Sequence, residues 1–464
     1  MTQNSKLLIV RAFDGQPITN VPKISANEAE AMLARADKLH RSQDENNPMW
    51  RRIEILRNLI PLMQAESENL ALLIAYEGGK PLTDARIEVD RAINGVELAI
   101  AELGTHAGEE IPMGLSKAGA GRMAFTTKEP IGVVMAVSAF NHPLNLIVHQ
   151  VVPAVAVGCP VIIKPAGPTP LSCLRFVELL HKAGLPKDWC QTCVCDNDIA
   201  EKMITDPRVA FFSFIGSARV GWYLRSKLAP GTRCALEHGG AAPVIVASDA
   251  DIERMLPLLV KGGYYHAGQV CVSVQRIFVD NAIKADFAEA LKEQVAALKV
   301  GDPSEEDTEV GPLIRTGEVD RVETWVGEAV NGGANCLTGG KRLSDRVYAP
   351  TVLVDPASDT KVSTLEVFGP VTCVYGYDDI DVAITQANSL PVAFQASVFS
   401  QNINTALSAA RNLDAAAVMI NDHTAFRVDW MPFAGRKTSG LGVGGIGHTM
   451  ADMSQDKMLV LATN

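Results

Sequence analysis

PVIIKPAGPTP, at residues 160–170, is a short run of apolar, mostly β-branched residues that stops abruptly at Lys164-Pro165. Similar runs recur after residue 130 and alternate with helical stretches: IGVVMAVS (131–138), VAFFSFIGS (209–217), PVIVAS (243–248), QRIFVD (275–280) and PVTCVYGY (370–377). Because these runs are continuously apolar, we expect strands buried on both faces, in parallel sheets that helices cover. The predicted fold class is α/β with open, twisted sheets.

The rest of the chain is organised around this pattern. Residues 25–103 have helical periodicity, and the Gly-rich, alternating residues 108–126 predict a hairpin. A second α/β series begins after about Leu236 and includes QASVFS (395–400) and AAAVMIN (415–421). The final strand, DKMLVLAT (456–463), is expected to pair with residues 108–126 or with another subunit.

Composition excludes several classes of protein. A chain of 464 residues predicts two or three domains. The formal charge of −11, without a basic block, argues against a nucleic-acid surface. The apolar runs are too short and too often broken to cross a bilayer, and the N-terminus does not match a signal peptide. Nine scattered cysteines then indicate reduced thiols in the cytoplasm.

Two strand ends carry residues suited to a dinucleotide. Lys164 ends a predicted strand, where α/β sheets bind ligands, and can reach ribose or phosphate; an ordinary lysine whose ammonium reaches solvent is the alternative. Gly216 and Ser217 follow the next strand and can begin a helix whose N–H groups face a pyrophosphate. The usual GxGxxG pattern is absent, so a simple glycine turn explains these two residues equally well.

Four further residues suggest chemistry at loop positions. Asn141 leaves a buried strand and can donate to an oxyanion, although an Asn turn before proline is common. Glu237, beside a glycine pair, suits a general base, although most glutamates are solvated. Glu366 and Phe368 precede Gly-Pro and a strand, where they can hold ribose hydroxyls and brace a planar ring, or form an ordinary loop.

Two cysteine motifs compete for a chemical role. Cys271 lies in GQVCVSV, in a predicted turn that can begin a helix; such a place lowers a thiol pKa, whereas burial makes the residue ordinary packing. WCQTCVCD (189–196) has the spacing CxxCxC, which can mark a metal site. It has only one histidine nearby in sequence and occupies a predicted strand, so we expect no metal.

The order AFNHP, IIKPA, FIGS, LEHGG, GQVC, EVFGP and MPFAGRKTSGLG resembles the aldehyde dehydrogenase superfamily. The resemblance extends from EGGKPLTDARIEVDRA (77–92) to the end of the last motif at residue 442. Any one motif is unspecific, but their combined order is highly specific. The resemblance favours members that act on lactaldehyde, glyceraldehyde phosphate or phosphonoacetaldehyde.

The resemblance implies a role for each residue. Cys271 matches the nucleophile, Glu237 the base that activates water, and Asn141 the amide of the oxyanion hole. Lys164, Gly216, Ser217, Glu366 and Phe368 match positions that bind NAD or NADP. The implied reaction is oxidation of an aldehyde to a carboxylate through a cysteine thiohemiacetal and thioester.

The family fold implies a Rossmann-like cofactor domain, a catalytic α/β domain and a small oligomerisation hairpin. We place the cofactor domain at residues 1–107 and 127–236 and the catalytic domain at 237–438. Residues 108–126 and 439–464 then form the oligomerisation segment. The expected assembly is a homodimer or homotetramer.

Departures from the family pattern bear on specificity. Many NAD-preferring relatives carry a glutamate where this chain has Gly167, so NADP can be accepted. His142 and His149, predicted on one helix face, and Arg427 suggest a small polar or anionic aldehyde; surface or packing roles are the alternative. Val270 argues against a dedicated phosphonoacetaldehyde enzyme, in which an arginine is expected before the nucleophile.

Two other activities remain open at this stage. A CoA-acylating aldehyde dehydrogenase would use the same thiol, but such members commonly lack the glutamate that matches Glu237. A nicotinamide-independent cysteine hydrolase or acyltransferase would leave Lys164, Glu366 and Phe368 unexplained.

Overall fold

The computed structural model describes residues 5–42 and 47–463. The strands, in chain order, are β1 (Lys6–Val10), β2 (Pro17–Pro22), β3 (Glu110–Ile111), β4 (Arg122–Pro130), β5 (Val133–Val137), β6 (Val161–Lys164), β7 (Cys190–Thr192), β8 (Val209–Ile215), β9 (Arg233–Glu237), β10 (Ala242–Val246), β11 (Val274–Asp280), β12 (Asn335–Thr338), β13 (Thr351–Val354), β14 (Val371–Tyr377), β15 (Val392–Ala393), β16 (Gln395–Phe399), β17 (Ala417–Ile420), β18 (Arg436–Lys437), β19 (Gly440–Leu441) and β20 (Ser454–Ala462).

The helices surround these strands. In chain order they are α1 (Ala26–Ser42), α2 (Met49–Ala65), α3 (Ser67–Gly78), α4 (Leu82–Glu102), α5 (Asn145–Val157), α6 (Leu171–Lys182), α7 (Asn197–Ile204), α8 (Ala218–Arg225), α9 (Ile252–Tyr264), α10 (Lys284–Ala296), α11 (Thr316–Asn331), α12 (Lys361–Thr364), α13 (Ile380–Asn388), α14 (Ile403–Asn412) and α15 (Ile446–Asp452). Short 3₁₀ turns occupy Met113–Leu115, Lys187–Trp189 and Tyr265–Gly268. In the part of the chain that the structure describes, no helix has the length and apolar character needed to cross a membrane.

A six-stranded sheet has the order β7-β6-β5-β8-β9-β19, with every neighbouring pair parallel except β9 and β19. Along β5, Val134 and Ala136 pack into one core cluster and Val133 and Met135 into another. The strand is therefore buried on both faces, as its continuous apolar sequence predicts. The strand order reverses between β5 and β8, and the crevice outside their carboxyl ends is the usual ligand site of such a sheet.

A seven-stranded sheet has the order β12-β13-β14-β11-β10-β16-β17, and its pairs are parallel except β12 with β13. Val244 and Val246 of β10 pack on one face and Ile245 on the other, so this sheet is also covered on both sides. The chain passes from β9 in the first sheet to β10 in the second through residues 238–241. The α/β class with two open sheets is confirmed.

A three-stranded antiparallel sheet has the order β20-β4-β3. Residues 454–462 of β20 pair along all of β4, from Pro130 back to Arg122. The final strand therefore pairs within the chain, with the end of the predicted hairpin and beyond it. The short strand β19 belongs to the six-stranded sheet, and the domain boundaries drawn from the sequence stay a prediction.

Candidate active site

A cavity of about 530 Å³ lies where the carboxyl ends of β5, β8 and β9 approach the amino ends of β11 and β14. It is lined by all the predicted site residues but one: Asn141, His142, His149, Gly216, Ser217, Glu237, Cys271, Glu366, Phe368 and Arg427. The exception is Lys164, which ends β6, although Ala166 lines the cavity two residues later. A second hollow of about 670 Å³, beside α8, β9 and β19, contains none of these residues.

Cys271 follows a turn whose backbone is in the left-handed region. The φ angle is 51° at His266, 54° at Ala267 and 68° at Gly268. Non-glycine residues enter this region at a cost, so their surroundings must hold them there. At residue 268 glycine is also a steric requirement, because a Cβ atom would lie 2.2 Å from the carbonyl oxygen of Gly369.

Gln269 holds the nucleophile loop in place. Its side-chain amide donates to the Pro312 carbonyl oxygen at 3.1 Å, and its side-chain oxygen accepts from the Ile314 N–H at 2.9 Å. Its own carbonyl oxygen accepts from Asn141 Nδ2 at 2.9 Å. The loop of Cys271 and the amide of Asn141 are thus tied to each other, and Asn141 keeps a second N–H to donate.

The buried carboxylate of Glu88 fixes the turn that carries Asn141. Glu88 Oε1 accepts from the backbone N–H groups of Leu144 and Asn145, at 2.9 and 3.0 Å, which satisfies the free amino end of α5. The other oxygen of Glu88 pairs with the ammonium of Lys80, and both side chains are buried. This pair makes Asn141 part of a rigid support rather than a mobile turn.

Of the two alternatives that the sequence left open for the Cys271 thiol, a lowered pKa or burial, the structure shows burial. Burial and the nearby carboxylates of Glu366 and Glu237 raise the pKa of this thiol to about 12, and the opposing effect of Arg427 is smaller. The structure also places Cys271 between a 3₁₀ turn and β11, so no helix begins there to stabilise a thiolate.

Glu237 is the last residue of β9 and reaches the cavity. Glycine at 444 leaves room for its carboxylate, since a Cβ atom there would lie 2.1 Å from Glu237 Oε1. Burial raises the pKa of Glu237, and Arg427 opposes this shift. A carboxylate with a raised pKa is a stronger base than an ordinary glutamate, which suits the activation of water.

One end of the cavity has the features of a dinucleotide site. Glu366 Oε1 is buried without a hydrogen-bond partner among the described residues, and burial raises the pKa of this carboxyl to about 8. Gly239 lies so close that a Cβ atom would fall 1.7 Å from Glu366 Oε1. Phe368 has a φ of 46° and packs edge-on against Phe140 at 5.8 Å. This end therefore presents an unpaired acceptor and an aromatic ring.

The turn after β8 completes this end. Ser217 precedes α8, and the Gly216 carbonyl oxygen lies 2.8 Å from His238 Nδ1. Burial lowers the pKa of His238, so its neutral ring donates here. Lys164, outside the cavity wall, is aligned with Val137 across β6 and β5. The sheet thus brings these strand ends to one edge.

The other end of the cavity is organised around Asp429. Arg91 donates twice to its carboxylate, at 2.8 and 3.0 Å. His149 Nε2 lies 2.7 Å from Oδ1, and Asn145 Nδ2 donates to the same oxygen at 3.2 Å. Burial opposes ionisation of Asp429, but the bonds from His149 and Arg91 outweigh it and hold its pKa far below the ordinary value. Burial lowers the pKa of His149 to about 4, so this ring is neutral.

Arg427 is only loosely paired within this network. Its guanidinium lies over the ring of Phe433 at 3.6 Å, and its Nε, 4.0 Å from Asp429 Oδ1, has no hydrogen-bond partner among the described residues. An arginine keeps its charge even when buried. The cavity therefore contains a positive charge without a full counter-charge.

The two predicted histidines line the cavity from different structural elements. His149 lies within α5, but His142 lies in the turn before Asn145, where α5 begins. The prediction that they share a helix face is therefore wrong, because the helix starts later than the spacing implied. Burial holds the pKa of His142 well below its ordinary value, and its ring packs edge-on at 6.5 Å from His266.

Four functional residues were not identified from sequence: Glu88, Arg91, Gln269 and Asp429. Glu88 and Arg91 lie in EGGKPLTDARIEVDRA, on one face of α4 with Asp84, at spacings of four and seven. A polar stripe on an otherwise apolar helix is an available signal. Asp429 has no such signal, because its partners come from distant parts of the chain.

The cysteine motif CxxCxC does not converge on one point. Cys190 packs in the core cluster that contains Cys173, whereas Cys193 and Cys195 pack in the cluster on the other side of the sheet. An odd spacing in an extended segment sends side chains to opposite faces, which explains the division. Across residues 5–42 and 47–463, no group of three or more potential ligands is placed to hold a metal ion.

Comparison with known proteins identifies the family of this chain. The model of the aldehyde dehydrogenase family matches residues 1–459. A 3-sulfolactaldehyde dehydrogenase of Priestia aryabhattai is 37% identical over 462 residues, which cover 99% of this chain and 96% of that protein.

Two solved structures have the same fold. Aldehyde dehydrogenase 21 of Physcomitrella patens, in complex with the reaction product succinate, superposes with a TM-score of 0.96 at 33% identity and covers 100% of this chain and 96% of its own. Glyceraldehyde-3-phosphate dehydrogenase GapN of Methanocaldococcus jannaschii, complexed with NADP, has a TM-score of 0.94 at 33% identity and full coverage of both chains, 100% each.

Proposed function

The chain belongs to the aldehyde dehydrogenase family, and we propose that it uses NAD or NADP to oxidise a small aldehyde bearing an anionic group. The single observation that supports this substrate class is the loosely paired guanidinium of Arg427 in the nucleophile cavity, whose Nε has no hydrogen-bond partner among the described residues. An anion bound there would supply the missing counter-charge and the missing hydrogen bonds.

The names of the relatives point to the same chemistry. A sulfonate, a carboxylate and a phosphate occur in 3-sulfolactaldehyde, in succinate and in glyceraldehyde 3-phosphate. These three groups differ in shape but share a negative charge at a distance from the carbonyl carbon. In this chain Arg427 and Arg91 are the cations at the corresponding end of the cavity.

The dinucleotide end fits NAD or NADP. Glu366 offers a buried acceptor oxygen without a partner, and Gly239 keeps the neighbouring space open. The residues that would hold the cofactor are Lys164, Gly216, Ser217, Glu366 and Phe368. When bound, the nicotinamide ring supplies an acceptor for the hydride that leaves the substrate carbon.

The catalytic residues suit acyl chemistry on sulfur. Cys271, once deprotonated, attacks the aldehyde carbon, and Asn141 donates its free N–H to the oxyanion of the thiohemiacetal. Loss of hydride converts this adduct to a thioester. Glu237 then takes a proton from water, which attacks the thioester carbon and releases the carboxylate product and the thiol.

The raised pKa of Cys271 has a consequence for this sequence of steps. A thiol with a pKa of about 12 is almost fully protonated at neutral pH. A carboxylate in the same cavity with a raised pKa, such as Glu237, is a suitable first acceptor of its proton. Glu237 would thus act twice, once on the thiol and once on water, and it must release the thiol proton to solvent between the two steps.

A CoA-acylating activity is the alternative that uses the same thiol. Glu237 favours hydrolysis, because transfer to CoA needs no activated water. Adding CoA to a turnover reaction and assaying for acyl-CoA separates the two activities. A hydrolase without nicotinamide would not produce the ultraviolet absorbance of a reduced cofactor.

The proposed assembly is a homodimer or homotetramer. Four successive apolar residues of β20 are 41–58% exposed in the single chain: Met458, Leu459, Val460 and Leu461. Such a strand is unusual on a monomer surface, since it exposes apolar side chains on both of its faces. Light scattering on the purified protein gives the number of subunits.

The substrate proposal is tested with matched aldehyde pairs and Arg427→Ala. Suitable pairs are succinate semialdehyde with butanal and glyceraldehyde 3-phosphate with glyceraldehyde, each assayed with NAD and with NADP. We expect the ratio of kcat/KM for the anionic over the neutral member to fall on the order of 10²-fold, since a desolvated ion pair contributes about 2–5 kcal/mol. An effect of Arg427 on the thiol pKa acts on both members and cancels in the ratio.

Arg436→Ala is the control, because that guanidinium is 55% exposed and lies outside the cavity. If Arg427→Ala leaves the preference for anionic aldehydes unchanged, the proposed substrate class is wrong.

A further inference from the structure

Two cysteines outside the active site face each other at the edge of the six-stranded sheet. The Sγ atoms of Cys193 and Cys195 are 3.3 Å apart, and the Cys193 thiol donates to Cys195. Both residues lie on one face of the extended segment that follows β7, because their spacing is two. Nothing in the proposed catalytic cycle uses them, and no third ligand among the described residues joins them in a metal site.

The surroundings make the two thiols unequal. Cys193 is fully buried, and its sulfur also contacts Met203 Sδ at 3.6 Å. Cys195 keeps 9% of its surface exposed. The thiol hydrogen bond from Cys193 lowers the pKa of Cys195 against the effect of burial, and the ammonium of Lys164 lowers it further. Cys195 is therefore the more nucleophilic sulfur and Cys193 the better placed to displace a group from it.

The segment is attached directly to the predicted cofactor strand. The Cys193 N–H donates to the Ile163 carbonyl oxygen at 2.8 Å, one residue before Lys164. The Val194 carbonyl oxygen accepts from the Ile24 N–H, also at 2.8 Å. A change in the backbone between the two cysteines would therefore be transmitted to the strand end that carries Lys164.

We propose that Cys193 and Cys195 are a reversible redox modification site, which a peroxide oxidises to a disulfide and whose closure weakens dinucleotide binding. The disulfide itself is independent of the proposed function, whereas the effect on dinucleotide binding rests on it.

The chemistry balances with hydrogen peroxide as the oxidant. The Cys195 thiolate attacks one peroxide oxygen, the O–O bond breaks, and the sulfur becomes a sulfenic acid while hydroxide leaves and is protonated to water. The Cys193 sulfur then attacks the Cys195 sulfur and expels a second hydroxide, which takes the Cys193 proton. Two thiols and one peroxide give one disulfide and two waters, and an external dithiol reverses the reaction.

Closing the bond would pull the two sulfurs from contact distance to about 2.05 Å. The backbone of residues 193–195 would have to twist. One end of this segment is held by the hydrogen bond of Cys193 to Ile163. Just beyond the other end lies the ion pair of Asp196 with Lys23, at 2.6 Å. The direct consequence is a displaced Lys164, which is the residue predicted to contact the adenosine ribose.

The experiment uses the full chain with Cys271→Ala, so that oxidation of the nucleophile cannot contribute. The protein is treated with hydrogen peroxide, its remaining thiols are alkylated, and peptides are identified by mass. We expect the peptide that contains residues 193 and 195 to be lighter by two hydrogen atoms and to resist alkylation. Dithiothreitol should restore both thiols.

Binding of NAD and NADP is then measured by calorimetry before and after oxidation. The expected result is a dissociation constant raised about fivefold or more, typical of coupling between neighbouring sites. Cys193→Ser and Cys195→Ser should each abolish the disulfide and the effect on binding. Cys190→Ser is the matched control, since that residue lies in the same segment but on the opposite face, and it should behave like the parent.

Each contrary result overturns the proposal. The site is wrong if the thiols at 193 and 195 remain alkylatable or if Cys190→Ser also prevents the disulfide. The coupling is wrong if the disulfide forms and the dissociation constant is unchanged. Loss of aldehyde oxidation in the reduced protein would bear on the proposed function instead, because the mass readout does not depend on turnover.

Discussion

Each end of the cavity contains an acidic side chain, and the two differ in their hydrogen-bond partners and in the direction of their pKa shifts. Asp429 is 1% exposed and accepts hydrogen bonds from Arg91, His149 and Asn145. Glu366 is half-buried, and its Oε1 has no partner in the described parts of the chain. The pKa of Asp429 is lowered and that of Glu366 is raised to about 8.

The contrast separates two kinds of buried charge. A carboxylate whose partners are all supplied by the chain is a structural element, because its desolvation is already compensated. A carboxyl group whose desolvation is only partly compensated, such as Glu366 with its unpaired Oε1, is held by the fold for something else. We interpret Asp429 as a positioning residue for the substrate end and Glu366 as a ligand-binding residue at the dinucleotide end.

The largest expected effect comes from Asp429→Asn. It removes the counter-charge of Arg91 and leaves a buried cation unpaired, which typically costs about 3–5 kcal/mol. We expect a clearly lower melting temperature and, because Arg91 and His149 lose their anchor, a fall in kcat/KM for anionic aldehydes. Asp422→Asn is the control, since that carboxylate lies in the same loop and is 37% exposed. If Asp429→Asn has the same melting temperature as the native protein, Asp429 does not have a structural role.

Glu366→Gln should act in the opposite direction on stability. The folded protein holds this proton up to a pH of about 8, whereas the unfolded chain releases it near its ordinary value. Stability is therefore lost as pH rises through this window, and the amide removes the loss. At pH 8 we expect the variant without ligand to be more stable by on the order of 1–2 kcal/mol, a value reduced for the partial exposure of the side chain.

The two variants together test the comparison. Melting temperatures of the native protein and Glu366→Gln, recorded from pH 5 to pH 8, should coincide at the acid end and diverge at the basic end. Binding of NAD and NADP should weaken about tenfold, because one of the two acceptor oxygens available to the ribose becomes an N–H donor. Glu323→Gln, at a surface carboxylate 46% exposed, should change neither property. If Glu366→Gln destabilises the protein at pH 8, the two carboxylates do not differ in kind.

The smallest effect concerns the choice between the two cofactors. A Cβ atom at Gly167 would meet nothing within 4 Å, so a longer side chain fits without rearrangement. Gly167→Glu adds a charge that repels a 2′-phosphate, and we expect the ratio of kcat/KM for NADP over NAD to fall about tenfold in dilute salt. Gly167→Gln has the same size without the charge and should keep the native ratio. An equal fall of this ratio in both variants would mean that the size of the side chain, rather than its charge, determines the cofactor preference.

The fold was largely predictable because its signal is local. Continuous apolar runs such as VVMAV mark buried strands, and β5 has this burial on both faces. Asn141 and Gly216, predicted at strand ends, do line the cavity, because the carboxyl ends of parallel strands meet at one edge, and their roles stay a prediction. The predicted start of α5 was too early, since His142 lies in the turn whose geometry Glu88 fixes from another helix.

The properties that could not be predicted depend on contacts between residues that are far apart in the sequence. The raised pKa of Cys271 follows first from its burial and then from Glu366 and Glu237, and all of these arise only in the folded protein. The neutrality of His149 follows from its burial, which outweighs the opposing effect of Asp429. The loose pairing of Arg427 depends in the same way on the folded chain, which holds its Nε 4.0 Å from Asp429 Oδ1. Local periodicity contains no information on these pairs, so residue type was predictable and electrostatic state was not.

The bond between Arg91 and Asp429 joins residues 338 positions apart, and the one between His149 and Asp429 spans 280. During biosynthesis, the cofactor strands leave the ribosome long before Asp429 does, and domains fold as they emerge. Strands β5 to β9 of the six-stranded sheet can therefore fold before the substrate end is complete. Until the last part of the chain docks, Arg91 and His149 have no anchor, so the newly made protein would gain its proposed aldehyde specificity as one of its final steps of maturation.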